Sequence, residues 1–287
     1  MPGILYVVST PIGNLEDLTY RAVRVMSEVD LIACEDTRHS RKLLTHYGIK
    51  TKTVSYHEHN ESDRAPELLA SIKSGLDVAL VSDAGTPGIS DPGFRVVRMA
   101  LQEGVRVVPV PGPTALISAL VVSGVPSDEF FFGGFLPARS AARRKRLAEL
   151  SGIQTTMVFY EAPHRVAESL KDARAILGER EAVVARELTK LHEEILCGRL
   201  SELAAQFLQA VHQPRGEMVI VIDRKVIESA EDKSKSGHSV ASVVAGFEAQ
   251  GFEPRSALKK AAKQLGLSRD EAYRHLVAER SREDRKP

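Results

Sequence analysis

The sequence predicts two α/β halves of similar length followed by a small all-helical unit. Three observations carry this. Short β-rich runs alternate regularly with helical stretches from residue 4 to residue 222, the pattern of a mostly parallel sheet with helices on its faces. A chain of 287 residues with 43% hydrophobic content exceeds one ordinary domain and can build two cores. After Ile227 the run ESAEDKSKSGHS has no large apolar residue until Val240 and reads as a linker. The expected parts are an α/β domain at 1–112, a second at 113–224, a linker at 225–238 and a helical domain at 239–287.

In the first half, Ile4–Val8 reads as a strand, Leu18–Ser27 as a helix, Leu31–Cys34 as a strand and Arg38–Tyr47 as a helix. An amphipathic helix near Glu61–Lys73, a strand Val78–Val81, a helix near Phe94–Glu103 and a strand Val105–Val110 follow. The second half opens with a helix after Pro113, then an extended run Phe130–Phe132, a basic helix Ala141–Leu150 and a strand Thr155–Tyr160. It closes with a helix His164–Leu177, strands Ala182–Ala185 and Glu193–Cys197, a helix Ser201–Val211 and a strand Met218–Ile222. In the helical unit, Ala257–Leu265 ends at Gly266 as a helix C-terminus should, and Ser268 with Glu271 forms a capping box. Helix, short glycine turn and helix make a helix-turn-helix-like unit, and the final RSREDRKP reads as frayed.

Charge and composition exclude several classes. With 39 basic against 38 acidic side chains, the whole surface cannot be a uniform nucleic-acid glove. The balance is uneven, however: residues 225–287 hold 13 Lys/Arg against 10 Asp/Glu, leaving 26 against 28 elsewhere. No apolar run approaches the roughly 20 residues a membrane helix needs, and the longest candidate, Thr114 to Val125, is broken by Ser118, Ser123 and Gly124. MPGILYVVSTP has neither a basic leader nor a small-residue cleavage site, so a cytoplasmic protein without signal peptide is expected. Two distant cysteines fit a reducing compartment, with no disulfide and no zinc site. Cys34 lies beside Glu35 and Asp36, which disfavour a thiolate, so it reads as a buried structural thiol. His57 and His59 would share one face of a strand if that segment is extended, but further ligands at a usable spacing are missing. No metal is expected.

Ligands of open α/β sheets bind outside the carboxyl ends of strands. Three strand-following loops are rich in Gly and Pro: Thr10–Asp17, Ser82–Gly93 and Val110–Thr114. Glycine permits close backbone approach and proline fixes loop shape, which together make a pre-organised rim. None of the loops is a Walker A or a GxGxxG after the first strand. Asp83 and Asp91 would repel phosphate yet suit ribose hydroxyls or a cation, so the expected ligand is a positively charged nucleoside without phosphates. Any one loop alone reads as a tight turn with Asp as a helix cap. Three at successive strand ends point to a site.

TPIGNLEDLT near the N-terminus, ACEDTR at 33–38, SYHEHNE at 55–61, SDAGTPGISDPG at 82–93, PVPGPTAL at 109–116, FYEAPHR at 159–165 and RELTKLHEE at 186–194 together resemble the tetrapyrrole-methylase superfamily. Within it they resemble the branch that methylates small-subunit ribosomal RNA, over residues 4 to 222 nearly without a gap, and the helical C-terminal unit resembles that branch too. The resemblance implies two α/β domains with S-adenosylmethionine folded into the cleft between them, and a homodimer. The implied reaction is transfer of the methyl group to the ribose 2′-oxygen of a cytidine in the decoding region, with 16S rRNA or the small ribosomal subunit as partner. By matching position, Pro11 and Gly13 would shape the floor of the cofactor pocket, and Asp83, Ala84, Gly85 and Thr86 would lie along the methionine and ribose portions. Pro113 and Thr114 would hold the opposite edge, Tyr160 and Arg186 would approach the adenosine, and Gly216 and Glu217 would close the site.

A sulfonium is already an activated leaving group, so alignment supplies much of the acceleration. A ribose hydroxyl is a weak acid, and a base, or a cation that stabilises the developing alkoxide, should assist. Candidates are Glu35, Asp36, Arg38, His57, Glu161, Glu187, Lys190 and His192. Lys190, a cation between acids including Glu187, is the preferred charge stabiliser, with a surface salt bridge as its alternative, and Arg38 is the second choice, with a grip on RNA phosphate as its alternative. Arg139, Arg143, Arg144, Lys145 and Arg146 fall within eight acid-free residues and read as a phosphate-binding helix face, against the bland alternative of a solvated face. Lys259, Lys260, Lys263, Arg269 and Arg274 make a second patch, for which RNA docking is expected. Two competing functions share these features: methylation of a tetrapyrrole or a diphthine-type protein side chain, and a helix-turn-helix regulator without turnover.

Overall fold

The computed structural model describes residues 1–209, 216–224 and 240–283. The expected linker and the last four residues lie outside the described residues. The chain divides into two compact units, Met1–Lys225 and Val226–Pro287.

The larger unit contains two five-stranded sheets. The first has strands β1 (Ile4–Val8), β2 (Leu31–Cys34), β3 (Lys52–Ser55), β4 (Val78–Val81) and β5 (Arg106–Val110), ordered β3-β2-β4-β1-β5. All its pairings are parallel. β3 has no counterpart in the sequence expectation, and it stops at Ser55, so His57 and His59 sit in the following turn instead of on a strand. Alternate strand residues enter two cores, as the two-residue side-chain period dictates. Ile32, Cys34, Ala79 and Val81 pack toward α1 (Tyr20–Glu28) and α2 (Thr37–His46). Ala33, Val78 and Leu80 pack toward α3 (Glu61–Lys73) and α4 (Phe94–Gln102). Cys34 is fully buried, and burial raises its thiol pKa, in keeping with a structural role.

The second sheet comprises β6 (Phe130–Phe135), β7 (Thr156–Glu161), β8 (Glu181–Arg186), β9 (Glu194–Arg199) and β10 (Met218–Ile222), ordered β6-β7-β10-β8-β9. In this sheet only β6 and β7 run parallel; the other three pairings are antiparallel, unlike the all-parallel first sheet. The seven residues between β8 and β9 are too few for a crossover helix, so those strands must form a hairpin. Helices α6 (Ser140–Leu150), α7 (Val166–Leu177) and α8 (Leu200–Gln209) cover one face. The other face packs on α5 (Ala115–Val122) and also receives Ile12 from the loop after β1. Burying that side chain contributes about 1.5–3 kcal/mol to holding the two sheets against each other.

Among the described residues the smaller unit has three helices, α9 (Val240–Ala249), α10 (Pro254–Gln264) and α11 (Arg269–Glu283), around Val243, Val244, Leu258, Ala261 and Leu276. Ser268 and Glu271 form the reciprocal capping pair at 2.9 and 3.3 Å, and Gly266 takes φ +69. Among the described residues no helix is long and apolar enough to cross a membrane.

Candidate active site

The loops after β1 and β4 are stitched together at the carboxyl edge of the first sheet. The Thr10 N–H donates to the Gly85 carbonyl at 2.8 Å and the Gly85 N–H returns the bond at 3.0 Å. The Thr10 hydroxyl donates to the Ser82 carbonyl at 3.0 Å, and the Ser9 and Thr86 hydroxyls lie 2.8 Å apart. Gly85 holds φ +82, where a side chain would be strained. The Thr86 hydroxyl also reaches the Pro113 carbonyl at 3.4 Å, joining the loop after β5.

These loops form one wall of a cavity of about 420 Å³, within the range of small-molecule sites. Its lining includes Ile12, Glu35, Asp83, Ala84, Gly85, Thr86, Ile89, Ser90, Asp91, Thr114 and Ala115. The second sheet supplies the opposite wall: Phe135, Tyr160, Glu161, Ala162, Pro163 and the segment Gly216–Val219. Five carboxylates, Glu35, Asp83, Asp91, Glu161 and Glu217, therefore line one space. Burial, then the charge of Glu35, pushes Asp91 up to about 6. Burial and the charge of Asp83 raise Glu35 as well. Such a cavity disfavours anions and would be relieved by a cation.

Glu161 is spoken for. Its carboxylate accepts from the Ser169 hydroxyl and from the Ala162 N–H, and pairs with Arg165 at 2.6 Å. A carboxylate so fully engaged positions the end of β7. Burial raises the Tyr160 pKa, and its hydroxyl faces the Thr114 side chain and the Leu116 backbone.

Lys190 stands at the edge of this space. Its ammonium lies 2.9 Å from Glu187 and 3.4 Å from Glu217, and Glu217 lines the cavity. Burial lowers the Lys190 pKa, but the Glu187 hydrogen bond and the charges of Glu217 and Glu187 outweigh it and hold the group above its ordinary value. For Glu187, burial is likewise outweighed, by the Lys190 hydrogen bond and charge, and its pKa falls. Both residues sit in a tight turn in which Glu187 has φ +51 and Thr189 has φ +67, conformations costing about 1–3 kcal/mol each in non-glycine residues and found preferentially at functional sites. Glycines make room for the pair. A Cβ on Gly13 would run into the Lys190 side chain, and one on Gly216 would overlap the Glu187 carboxylate.

Other residues singled out from sequence fall elsewhere. Pro11, Gly13 and Pro113 support the cavity without lining it, and Arg186 pairs with Glu194 at 2.8 Å across the β8–β9 hairpin. Arg38 is exposed and pairs with Asp36 at 3.3 Å; the Asp36 N–H donates to Asp83 at 3.1 Å, which brings this pair to the rim. His57 is held by Asn60, whose side-chain oxygen accepts the His57 backbone N–H at 2.8 Å, and His192 is exposed. Arg143 requires a correction. It is 2% exposed, its guanidinium grips Asp172 at 2.7 and 2.8 Å, and it ties α6 to α7, so it is not available to a phosphate. Arg139, Arg144, Lys145 and Arg146 are exposed, with Arg146 also reaching Glu149. In the smaller unit Lys259, Lys260 and Lys263 are all exposed, and the Lys260 ammonium also lies 3.7 Å from the centre of the Phe252 ring. Among the described residues no cluster of His, Cys, Asp and Glu could hold a metal ion.

A paired α/β architecture with an acidic, glycine-rimmed cavity between its sheets is that of a methylase: residues 4–204 match the family model described as Tetrapyrrole (Corrin/Porphyrin) Methylases. A solved uroporphyrin-III C-methyl transferase from Thermus thermophilus, complexed with S-adenyl homocysteine, shares the fold at TM-score 0.53 and 21% identity, covering 76% of this chain and 97% of that one. Much nearer in sequence are two proteins named ribosomal RNA small subunit methyltransferase I. The one from Vibrio cholerae is 54% identical over 76% of each chain. The one from Mesorhizobium japonicum is 44% identical over 95% of this chain and 91% of its own. The chain belongs to the tetrapyrrole methylase family and, within it, to the ribosomal RNA small subunit methyltransferase I group.

Proposed function

We propose that this methyltransferase uses S-adenosylmethionine to methylate the ribose 2′-oxygen of a cytidine in the decoding region of 16S rRNA. The observation that carries the reading is the cavity itself, where Glu35, Asp83, Asp91 and Glu217 converge without any phosphate-binding loop. When bound, the cofactor supplies a methyl group already activated by the sulfonium. The residues present suit it: the carboxylates of Asp83 and Asp91 match ribose hydroxyls and positive charge, and the backbone of Ala84–Thr86, Thr114 and Gly216–Val219 offers polar edges along an otherwise apolar wall.

The chain's own tasks are alignment and charge. The stitched loops after β1, β4 and β5 fix one wall, so little reorganisation is needed when the reactants meet. Lys190, kept protonated by Glu187 and Glu217, stabilises negative charge on the 2′-oxygen as its proton leaves. Glu187 holds that ammonium in place. Arg38, at the rim, together with Arg139, Arg144, Lys145 and Arg146 on α6, contacts RNA phosphates, and Lys259 and Lys263 add to the grip from the helical unit. The two α/β parts, 1–112 and 113–224, act as one catalytic body in the cytoplasm. The reading includes a homodimer, for which the exposed apolar row Ile117, Val121 and Val122 of α5 offers a surface.

The experiment incubates purified protein with methyl-labelled S-adenosylmethionine and small ribosomal subunits from a source lacking the modification. Label entering 16S rRNA is the expected result. Label entering only a tetrapyrrole or a protein substrate would replace this reading, and DNA binding without turnover would favour a regulator.

A further inference from the structure

We propose that Phe135 is the platform on which the base of the target nucleotide stacks once it has left the RNA helix. This rests on the RNA-methylating reading above and deepens it. β6 does not end regularly: its register against β7 shifts between Phe132 and Phe135, and Gly134 takes φ +62. A bulge of this kind re-aims the side chain that follows it. The neighbouring Gly133 is required by packing, since a Cβ there would overlap the Phe159 ring. The result is a phenyl ring that lines the cavity yet remains 56% exposed, and that meets Tyr160 edge-on with ring centres 5.5 Å apart. Tyr160 is less exposed and also meets Phe132 edge-on, with ring centres 5.0 Å apart. Phe135 thus presents a braced aromatic surface at the mouth of the cavity, with the carboxylates beyond it.

The base is attached one carbon from the 2′-oxygen, so placing that oxygen in the cavity carries the base to its mouth. Enzymes acting on a nucleotide within a structured nucleic acid extrude it and stack its base on aromatic side chains. The cofactor's adenine is the other flat ring in the system, and the experiment separates the two.

Phe135→Ala, Phe135→Leu and Phe135→Trp are compared with the natural protein. Loss of one base–aromatic stack corresponds to a roughly 5- to 150-fold fall in kcat/KM for small subunits in Phe135→Ala. Phe135→Leu, which keeps apolar bulk without a flat ring, should show a similar fall, and Phe135→Trp should restore most of the activity. The affinity for S-adenosylmethionine, measured by calorimetry, should stay within about twofold throughout, which also shows that the variants fold. Because the chain has no tryptophan, the ring introduced at position 135 is a unique fluorophore, and S-adenosylhomocysteine alone should leave its emission unchanged. Weakened cofactor affinity in Phe135→Ala, or quenching by S-adenosylhomocysteine, would assign the ring to adenine and overturn the proposal. Undiminished kcat/KM in Phe135→Ala and Phe135→Leu would overturn it outright. If the natural protein itself fails to label RNA, the underlying reading fails instead.

Discussion

Replacing Asp91 by Asn should stabilise the cofactor-free protein, against the usual direction of a substitution in a binding site. Burial and then the Glu35 charge raise this carboxyl from 3.8 to about 6. A change of that size corresponds to ~3 kcal/mol between protonation states. The side chain is only half-buried, so solvent screening reduces the figure to ~1–2 kcal/mol. Its sign follows from linkage: the folded state binds the proton more tightly than the unfolded state, so ionisation destabilises the fold above pH 6 and has no effect below the ordinary carboxylate range. At pH 7.5, Asp91→Asn should therefore raise the Tm of the larger unit by about 2–8 °C, using ~2–4 °C per kcal/mol for a unit of this size. At pH 5.0 about half of the gain should remain, because the natural carboxyl is then largely protonated when folded. Scanning calorimetry at the two pH values measures both numbers. S-adenosylmethionine should stabilise the natural protein more than the variant at pH 7.5, since the variant lacks one charge complementary to the ligand. An unchanged or lowered Tm at pH 7.5, or an equal gain at both pH values, would refute the account of the cavity as an electrostatically strained receptor for a cation.

Three further outcomes are expected. Lys190→Ala should lower kcat by about 10²–10³-fold, the usual effect of removing one group that stabilises developing charge, while cofactor affinity by calorimetry stays within about twofold; undiminished turnover would remove Lys190 from the mechanism. Arg143→Ala should destabilise the larger unit by about 3–5 kcal/mol in urea melts, because Asp172 would be left buried and unpaired, and Arg143→Ala with Asp172→Ala should recover part of that loss. Arg144→Ala and Lys145→Ala should each weaken RNA binding and reduce the slope of its salt dependence by about one, read from affinities at several salt concentrations; unchanged slopes would show that this face of α6 is simply solvated.

Periodicity exposed most of the fold. Strands fully buried on both faces, such as Val78–Val81, and capped helices such as the one after Ser268 announce themselves locally. The antiparallel character of the second sheet was legible only in part: the short link between β8 and β9 requires a hairpin, but nothing local says that β10 inserts between β7 and β8. Arg143 shows a signal passed over. It lies at positions i, i+4 and i+7 with Leu147 and Leu150, all three buried, so helical spacing already placed it on the inner face, whereas counting charges did not. In the site, Gly/Pro loops marked the wall built by the first sheet, because their backbone constraints are written in residue types. Phe135 carries no such mark. Its place in the cavity arises from contact between two sheets distant in sequence, and from a bulge that the Gly133–Gly134 pair could have suggested.

The most direct test of the central claim concerns where on the nucleotide the methyl group lands. A methyl on the 2′-oxygen removes the nucleophile by which alkali cleaves the adjoining phosphodiester, whereas a methyl on the base leaves it in place. Labelled 16S rRNA from the transfer reaction is hydrolysed in alkali and its products are separated. The account predicts label in an alkali-resistant dinucleotide whose 5′ residue is 2′-O-methylcytidine. Label recovered entirely in mononucleotides, or in a dinucleotide beginning with another base, would contradict it.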